Sequence, residues 1–458
     1  MENKASQAGV NIATPIRFRD ELPAVTDLVV VGGGIVGVFT ALYANRLGLK
    51  ALVLEKGRIA GEQSSRNWGW CRQQGRDADE LPIVMEANRL WSEIDDELKG
   101  KTGFVRGGCL YLARDEARLS ELADWIEIAK AHQLETRLLS SAELARCMDL
   151  NACGGASRNP WAGGLWTPSD ARAEPWTAVP SVAELAQTEG VMIREHCAVR
   201  ALDVQAGTIE GVLTEYGPVR AEQVVLAGGA WSSLLLQHHG IFIPQLSFRA
   251  TVAQTTELPA FFEGTAVDEG LAFRRRNDRT YTLADRHPVD FFMGRDALRA
   301  APYYLPTLKS SLANPKLRPL GPKEFPDSWL TPRRWKEDAE TPFERTRVLD
   351  PRPNDLTASR VAEQFARLFP TIGKPAIRRL WAGMVDTMPD IVPVIDHVPE
   401  MNGLILATGM SGHGFGIGPG IGRIVADIAA AKPPQHNINR FRYNRFNDGS
   451  RIQIGPAI

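Results

Sequence analysis

The chain has 458 residues, which is enough for two or three domains of ordinary size around a large buried core. Its 44% hydrophobic and 23% charged residues are typical of a globular protein, and its net charge of −1 does not indicate nucleic acid or an anionic membrane as a partner. The five cysteines include no C-x-x-C pair, which argues against a disulfide framework and a zinc site and favours a reducing cytoplasm.

The N-terminal segment, residues 1–25, mixes charges with prolines and lacks the apolar core of a signal peptide, so we expect a terminal arm. The uncharged stretch Leu28–Ala44 is too short for a membrane span and contains consecutive glycines. We therefore predict no membrane span.

Residues 26–55 contain strand, glycine, helix and strand patterns in a fixed order. The conspicuous members are Leu28–Val31, Gly32, Gly34, Gly37, Ala51–Leu54 and Glu55. In such a pattern the first glycine permits a tight turn, the second lets a pyrophosphate approach the backbone, and the third lets the helix pack on the strand. The N-terminus of the helix favours the phosphates, and Glu55 can accept hydrogen bonds from ribose hydroxyls. The sequence therefore predicts a dinucleotide site for FAD or NAD rather than NADP.

The loop after the second strand is rich in Ser, Asn, Gln, Arg and Gly, which can bind along a cofactor. Ser64 and Ser65 can donate hydroxyls to a pyrophosphate, while Arg66, Asn67 and Arg72 can face the reacting ring or the substrate. A solvated surface loop is the alternative, but two tryptophans in the same segment argue against it.

The middle of the chain alternates between helical and strand patterns. Helical periodicity covers Asp79–Leu98, Asp115–His132, Ala142–Cys147 and Pro175–Gly190. Strand patterns cover Phe104–Ala113, Gly163–Pro168, Val191–Glu195, Ala198–Asp203, Phe248–Gln254, Gly270–Arg276 and Thr280–Asp285, with a small hairpin at Gly211–Thr214 and Val219–Arg220. Gln223–Trp231 is a further buried strand that runs into two glycines, which indicates a second edge facing the same nucleotide.

Phe291–Asp355 is rich in Pro, Arg, Lys and aromatic residues but has poor periodicity. Loops of this length are uncommon and are usually functional or face a partner. Acids interrupt the basic residues throughout, so we expect a packed lid or an interface rather than a nucleic-acid site. The predicted elements that follow are a helix at Thr357–Phe369 and strands at Ile377–Val385 and Leu404–Ala407.

Seven glycines lie between residues 409 and 422, and we predict that the helix Ile421–Ala431 begins where this run ends. A glycine-rich backbone can lie flat against a planar ring. The N-terminus of the helix can also stabilise a negative charge that develops on that ring.

Together these segments resemble the FAD-dependent amine oxidoreductases of the D-amino acid oxidase superfamily, in the branch of glycine oxidase and sarcosine oxidase. The resemblance extends over about residues 26–431 and rests on the motifs VVVGGGIVG with Glu55, SSRNWGWCR, VVLAGGAWS, MPDIVPVID and ATGMSGHGFGIGPGIG. It implies an α/β, Rossmann-like FAD-binding domain built from separate segments, and an antiparallel-sheet substrate domain that covers the flavin.

The expected domains follow from this resemblance. The FAD-binding domain is predicted at 26–95, 160–245 and 371–432, the substrate domain at 96–159 and 246–370 with a Pro/Arg-rich insertion at 286–355, and terminal arms at 1–25 and 433–458. The candidate cofactor-binding residues are Gly32, Gly34, Ile35, Val36, Gly37, Glu55, Lys56, Ser64, Ser65, Arg66, Asn67, Gly69, Val199, Ala227, Gly228, Trp231, Gly383, Gly412, His413, Gly414, Phe415 and Gly416.

Three departures from the pattern of sarcosine oxidase carry predictions. Gly383 stands where those enzymes have a Cys that links the flavin, so we expect non-covalent FAD. Gly416 stands where they have a Lys that helps to hold the substrate carboxylate, so another residue must anchor it. The predicted strands between Phe248 and Asp285 contain no Lys to assist the reaction with oxygen, which argues against oxygen as the electron acceptor.

Flavin oxidation of an amine requires positioning and electrostatic stabilisation rather than a nucleophile. Arg is the natural bidentate clamp for a carboxylate, and the candidates are Arg72 and Arg274, the latter with Arg276 on the same face of a strand. The alternative is that arginines 274–276 form a solvated edge. More than one Arg would suit a dicarboxylate, such as an iminodiacetate-like amine or an opine.

Two further residues complete the candidate catalytic set. Trp381 is the candidate for an aromatic wall beside Gly383. His413 is a candidate base, although its motif favours packing with the backbone near the ring. Arg66, Arg276 and Arg286 are the next candidates for the clamp.

The resemblance implies FAD-dependent oxidation of the C–N bond of a small carboxylated amine: an N-substituted glycine, an iminodiacetate-like amine, an opine or a D-amino acid. Hydride is expected to pass to flavin N5, the imine to hydrolyse, and oxygen to reoxidise the flavin with release of hydrogen peroxide. One alternative is a dehydrogenase that passes electrons to a quinone or a protein carrier. The other is a non-catalytic FAD-holding subunit of a larger complex. The sequence leaves a homo-oligomer open.

Overall fold

The computed structural model describes residues 7–149, 160–285, 289–309, 316–322 and 324–454. Strands within these ranges form an eight-stranded sheet, a ten-stranded sheet and a two-stranded pair. Cys153 and Arg286, which the sequence analysis considered, lie outside the described residues.

The eight-stranded sheet contains β1 (Val25–Val31), β2 (Ala51–Leu54), β8 (Met192–Arg194), β9 (Val199–Gln205), β10 (Thr208–Thr214), β11 (Gly217–Leu226), β19 (Val394–Val398) and β20 (Met401–Thr408). The two-stranded pair is β3 (Trp70–Cys71) with β7 (Ala171–Arg172). The ten-stranded sheet contains β4 (Cys109–Ala113), β5 (Arg137–Ser140), β6 (Gly163–Thr167), β12 (Leu246–Thr255), β13 (Thr265–Val267), β14 (Leu271–Arg275), β15 (Tyr281–Asp285), β16 (Asp290–Phe292), β17 (Lys316–Arg318) and β18 (Ile377–Thr387).

The helices lie between and around these strands. They are α1 (Ile35–Arg46), α2 (Gln63–Arg66), α3 (Leu81–Glu97), α4 (Glu116–Ala123), α5 (Trp125–Ala131), α6 (Ser141–Cys147), α7 (Pro175–Thr188), α8 (Ser232–His238), α9 (Arg295–Lys309), α10 (Pro342–Arg345), α11 (Asp355–Leu368) and α12 (Gly414–Ala429). No helix in the described ranges combines the length and hydrophobicity that a membrane span requires.

The core of the first sheet is parallel: β20, β11, β1, β2 and β8 are neighbours in that order. A strand covered on both faces needs apolar side chains throughout, and Leu28, Val29 and Val30 are fully buried. The carboxyl ends of parallel strands meet at one edge, where ligands bind in α/β folds. The motif after β1 therefore lies at this edge together with the end of β11, as the sequence predicts.

The glycine-rich run is part of α12, which begins at Gly414 and not at Ile421 as predicted. A Cβ at Gly418 would lie 2.7 Å from the side chain of Ile35, and a Cβ at Gly422 would lie 2.5 Å from that of Phe39. The glycines therefore let α12 pack closely against α1. The predicted helix began only after this glycine run. Glycine is a poor helix former, but here close packing outweighs that preference.

The sequence analysis predicted no helix or strand in the Pro/Arg-rich insertion, which was expected to be a packed lid or an interface. Within the described residues this insertion contains β16, α9, β17 and α10. Pro302 and Pro306 lie inside α9, which hid its helical periodicity in the sequence.

The second sheet is mixed, since most of its strands are antiparallel but β13 pairs with β4, and β16 with β17, in parallel. Two of its strands, β6 and β18, come from segments that the predicted boundaries give to the FAD-binding domain. β18 pairs along its length with β12, and its register sets Gly383 opposite Ala250. Through this strand, the second sheet lies beside the edge of the first sheet at which the motif after β1 is found.

Candidate active site

A cavity of about 470 Å³ is lined by residues of both large sheets. Its wall includes the turn after β1, the end of β2, the segment around α2, the turn after β11, part of β18 and the start of α12. Most predicted cofactor-binding residues lie in this wall: Gly32, Gly34, Ile35, Val36, Glu55, Lys56, Ser64, Arg66, Asn67, Val199, Ala227, Gly228, Trp231, Gly383, Gly412, His413, Gly414 and Phe415.

The remaining predicted cofactor-binding residues do not line the cavity: Gly37, Ser65, Gly69 and Gly416. A Cβ at Gly37 would lie 2.0 Å from the carbonyl oxygen of Gly32, so this glycine lets α1 approach the β1 turn. A Cβ at Gly416 would lie 3.1 Å from the carbonyl oxygen of Trp70, so this position lets α12 pack on β3. These glycines act through packing.

The turn after β1 requires glycine at Gly32, where φ is +111° and a Cβ would lie 2.5 Å from the carbonyl oxygen of Ala227. Gly34 then precedes α1, and the N–H of Ile35 donates to Oγ of Ser64 at 2.9 Å. A cradle that a Cβ would fill, beside the N-terminus of a buried helix, fits a pyrophosphate. The residues present therefore fit a dinucleotide cofactor.

Glu55 closes this cradle from the end of β2. Its Oε2 accepts from the N–H of Gly33 at 2.8 Å, and its Oε1 accepts from the N–H of Gly57 at 2.7 Å. Burial raises the pKa of Glu55 to about 7, although the charge of Lys56 and the two N–H groups oppose that shift. Ribose hydroxyl donors at this carboxylate would favour its ionised form.

Glu62 joins three groups beside the cradle and was missed from the sequence. Nζ of Lys56 lies 2.6 Å from Oε1 of Glu62 and 4.3 Å from the ring centre of Trp231, whose Nε1 donates to Oε2 of Glu62 at 2.9 Å. The N–H of Leu349 also donates to Oε1 of Glu62 at 3.0 Å. Since Leu349 belongs to the Pro/Arg-rich insertion, no local pattern could predict this contact.

Arg66 is buried and runs beside Gly383. Its Nη1 donates to the carbonyl oxygen of Ala382 at 2.9 Å and pairs with the carboxylate of Asp350. A Cβ at Gly383 would lie 3.1 Å from Cβ of Arg66, so the missing side chain at 383 gives Arg66 its space. Arg66 is therefore an ion-paired group in the wall.

Arg72 and Arg76 form a second cationic part of the wall. Arg72 donates to the carbonyl oxygen of Gln74, and its guanidinium lies 5.5 Å from the ring centre of Tyr111. Arg76 is 3% exposed, and its Nη1 is buried without a hydrogen-bond partner within the described part of the chain. Burial, aided by the charge of Arg72, lowers the pKa of Arg76 to about 10. A buried guanidinium with such a free N–H group, on a residue that lines a cavity, suits an anionic ligand.

Arg76 was not predicted as a binding residue, although it lies four residues after Arg72 in the same polar loop. The sequence shows two arginines close together, which is the pattern expected of an anion site. Nothing in the sequence distinguishes this pair from other arginines, because the burial of a side chain in a polar loop cannot be predicted from the loop's composition.

His413 precedes α12 and faces the cavity, and its Nδ1 lies 3.1 Å from Oε2 of Glu80. Glu80, just before α3, is fully buried. Burial raises the pKa of Glu80, but His413 and the charges of Arg76 and Arg72 hold it below its usual value. Burial, followed by the charge of Arg76, lowers the pKa of His413 to about 4. At neutral pH the pair is a carboxylate and a neutral imidazole.

Arg274 and Trp381 do not line the cavity, which corrects their predicted roles as clamp and aromatic wall. Arg274 is fully buried, with Nη1 2.9 Å from Oε1 of Glu174, and Arg276 pairs with Oε2 of the same carboxylate at 3.2 Å. Nε1 of Trp381 donates to the carbonyl oxygen of Arg66 at 3.1 Å, so Trp381 packs behind the residues of the wall. Glu174, just before α7, therefore takes the place that a ligand carboxylate would have at Arg274, and the ion pair links β14 to the start of α7.

Comparison with known proteins gives a consistent result. The model of the DAO family of FAD dependent oxidoreductases matches residues 27–428. The mitochondrial sarcosine dehydrogenase of Homo sapiens is 23% identical over 93% of this chain, but the chain spans only 42% of that relative. The D-amino acid dehydrogenase of Paramagnetospirillum magneticum is 24% identical and is covered over 98% of its length, with 92% of this chain aligned.

Among solved structures, the L-amino acid deaminase of Proteus myxofaciens in complex with anthranilate is 28% identical, with a TM-score of 0.88 over 97% of this chain and 98% of that chain. The L-amino acid deaminase of Proteus vulgaris is 27% identical, with a TM-score of 0.86 over 94% of this chain and 100% of that chain. These matches and the family model confirm the superfamily that the motifs predict. The chain belongs to the family of FAD dependent oxidoreductases, and the cofactor for its dinucleotide cradle is FAD.

Proposed function

We propose that this enzyme oxidises a small α-amino acid, primary or N-methylated, at its C–N bond. The named relatives act on compounds of this class, and they include D-amino acid dehydrogenase, sarcosine dehydrogenase and L-amino acid deaminase. Anthranilate, the ligand in one related structure, also carries both a carboxylate and an amine.

One observation carries the proposal: Arg76 lines the cavity beside Arg72, and its buried Nη1 has no hydrogen-bond partner among the described residues. A buried guanidinium N–H without a partner is costly, and a carboxylate that forms two parallel hydrogen bonds relieves that cost. Arg72 and Arg76 together would anchor the carboxylate. That anchoring would fix the adjacent Cα.

The chain's own residues then bind, orient and exclude water. FAD held in the cradle would supply the acceptor for the hydride of the Cα–H bond. The side chain of Arg66 fills the space beside Gly383, and Tyr111, with Arg72 over its ring, would limit the size of the substrate side chain. The neutral imidazole of His413 can accept a hydrogen bond but carries no charge that would repel an ammonium group.

We further propose that electrons leave to a quinone or a protein carrier rather than to oxygen. Within the described ranges, Lys56 is the only lysine that lines the cavity, and it is paired with Glu62. Arg66 is paired with Asp350. Arg347 is paired with Glu215, and a carboxylate held by Arg72 and Arg76 would neutralise those two guanidinium groups. Arg58, just after β2, is then the cavity-lining cation without a carboxylate partner in the described ranges, so little unpaired positive charge would be left to stabilise superoxide.

The deciding experiment is anaerobic mixing of the FAD-loaded protein with a panel of D-, L- and N-methyl amino acids, with loss of flavin absorbance as the readout. The matching carboxylic acids without an amine are the control. Bleaching by at least one amino acid, and by none of the control acids, is expected. Failure of the whole panel would refute an amino-acid substrate and favour the non-catalytic alternative.

A further inference from the structure

The pair formed by Glu80 and His413 has a geometry that packing alone does not explain. Glu80 is fully buried, yet it is ionisable and lies at the start of a helix whose next residues form the apolar core. Its Oε2 lies 3.1 Å, and its Oε1 3.3 Å, from Nδ1 of His413. A buried carboxylate is costly and is retained where it holds a partner in place.

The contact determines which nitrogen of the imidazole is protonated. A carboxylate only accepts hydrogen bonds, so Nδ1 must carry the proton that is donated to Glu80. In the neutral ring Nε2 is then an acceptor. Because the side chain of His413 is 19% exposed and lies in the cavity wall, Nε2 is the polar atom that it offers to a ligand.

We propose that Glu80 is a positioning residue that holds His413 with Nδ1 protonated, so that Nε2 accepts a hydrogen bond from the amine of the substrate. This inference rests on the proposed function, because it needs an amine beside the carboxylate anchor. The enzyme would then bind both polar groups of an amino acid. The carboxylate would bind Arg72 and Arg76, and the N–H group would bind His413.

The surrounding charges suit this arrangement. Burial, followed by the charge of Arg76 and with a smaller effect of Arg72, lowers the pKa of His413 although Glu80 opposes that shift, so Nε2 keeps its lone pair over the neutral range. The same two guanidinium groups favour the ionised form of Glu80. The charged groups that act on the pair therefore maintain a carboxylate acceptor for Nδ1 and a free acceptor at Nε2.

The first test reads the tautomer directly. In FAD-loaded protein with ¹⁵N-labelled histidine, the NMR signals of His413 are assigned by their loss in H413N. We expect a protonated Nδ1 and an unprotonated Nε2 in the wild type and in E80Q, because the Gln carbonyl also accepts from Nδ1. We expect loss of that preference in E80L. A wild-type Nε2–H signal, or an E80L spectrum like the wild type, would overturn the proposal.

The second test separates the amine from the carboxylate. Leucine and phenylalanine are compared with 4-methylpentanoate and 3-phenylpropionate, which lack the amine, by anaerobic flavin reduction and by flavin absorbance changes respectively. E80L and H413N should raise the half-saturating amino acid concentration by roughly tenfold, the loss of one hydrogen bond, and change the affinity for the acids less than about twofold. E80Q should retain most of the wild-type affinity for the amino acids.

E86Q is the matched control, because Glu86 lies on the same helix but pairs with Arg89 at the surface. Equal loss of acid and amino acid affinity in E80L would overturn the proposal, since Glu80 would then act through the arginines. If no amino acid reduces the wild-type flavin, the proposed function fails, while the NMR measurement still decides whether Glu80 fixes the tautomer.

Discussion

The carboxylate of Glu55 accepts a hydrogen bond from the backbone N–H of Gly33 at 2.8 Å, and this contact links the end of β2 to the turn after β1. A residue predicted to bind the ribose thus also fixes the glycine turn that receives the pyrophosphate. Its second oxygen accepts from Gly57 in the same way. We therefore expect cofactor binding and the local fold to depend on one buried ionisable group.

FAD binding should be pH-dependent for this reason. Burial raises the pKa of Glu55 to about 7 in the cofactor-free protein, whereas ribose hydroxyl donors favour the ionised form. FAD uptake should therefore release a proton, and affinity should rise roughly tenfold between pH 6 and pH 8. The raised pKa has the opposite effect on folding, because its contribution to stability is full below the unfolded value and is lost as the pH rises through 7.

The measurement is quenching of FAD fluorescence by the apoprotein at several pH values. E55Q should bind FAD more weakly than the wild type at pH 8, by roughly 1–3 kcal/mol, and with little dependence on pH. Equal pH dependence in E55Q and the wild type would assign the titrating group to another residue.

The glycines of α12 should be sensitive to small additions. A Cβ at Gly422 would lie 2.5 Å from Cβ of Phe39 and 2.8 Å from the backbone carbon of that residue, and backbone cannot rotate away. Gly422→Ala should therefore lower the free energy of unfolding by about 1–3 kcal/mol, although alanine is the better helix former. Urea unfolding of the apoprotein measures this. A stabilised variant would mean that the two helices can separate at little cost.

This example also shows what the sequence could and could not predict. The nucleotide-binding motif after β1 could be predicted because each of its positions has a local physical reason. Apolar residues form the buried strand, glycine adopts positive φ in the turn, and an acid lies at the end of the next strand. The start of α12 could not be predicted, since its glycines serve contacts with Ile35 and Phe39 that are distant in the chain. Arg274 has the side chain that could bind a carboxylate ligand, but only the fold shows that its guanidinium is already paired with Glu174.

FAD should be bound non-covalently. Gly383 has no side chain to form a link, and none of the cysteines in the described ranges lines the cavity. Acid precipitation of the purified protein should leave the yellow colour in the supernatant, and the released flavin should comigrate with FAD. Colour that stays with the precipitated chain would refute this prediction.

Arg76 should contribute more to substrate affinity than its sequence context suggests. R76A removes a cavity-lining guanidinium whose Nη1 has no partner among the residues that the structure describes, so the half-saturating amino acid concentration should rise by roughly 30-fold or more, about 2 kcal/mol. R76K keeps the charge but loses the planar fork and should fall between R76A and the wild type. Anaerobic flavin reduction measures this effect. R89A is the control, because Arg89 pairs with surface carboxylates on α3. Unchanged kinetics in R76A would move the anchor to Arg72 alone.

The reduced enzyme should react slowly with oxygen. Transfer of the first electron to oxygen creates superoxide, and a fixed unpaired cation near the flavin lowers that barrier by stabilising the new charge. Lys56 is paired with Glu62, Arg66 is paired with Asp350, and burial keeps His413 neutral. Of the other arginines that line the cavity in the described ranges, Arg347 is paired with Glu215 and Arg58 donates to backbone carbonyl oxygens. A bound carboxylate would neutralise Arg72 and Arg76.

Stopped-flow mixing of the reduced protein with air-saturated buffer measures the reoxidation rate, with and without product present. Turnover with a quinone or a dye should exceed turnover with oxygen, and product should slow reoxidation further if Arg72 and Arg76 are the only cations that assist it. R76A should then reoxidise more slowly than the wild type in the absence of product. Reoxidation as fast as flavin reduction by the amino acid would instead identify an oxidase that releases hydrogen peroxide.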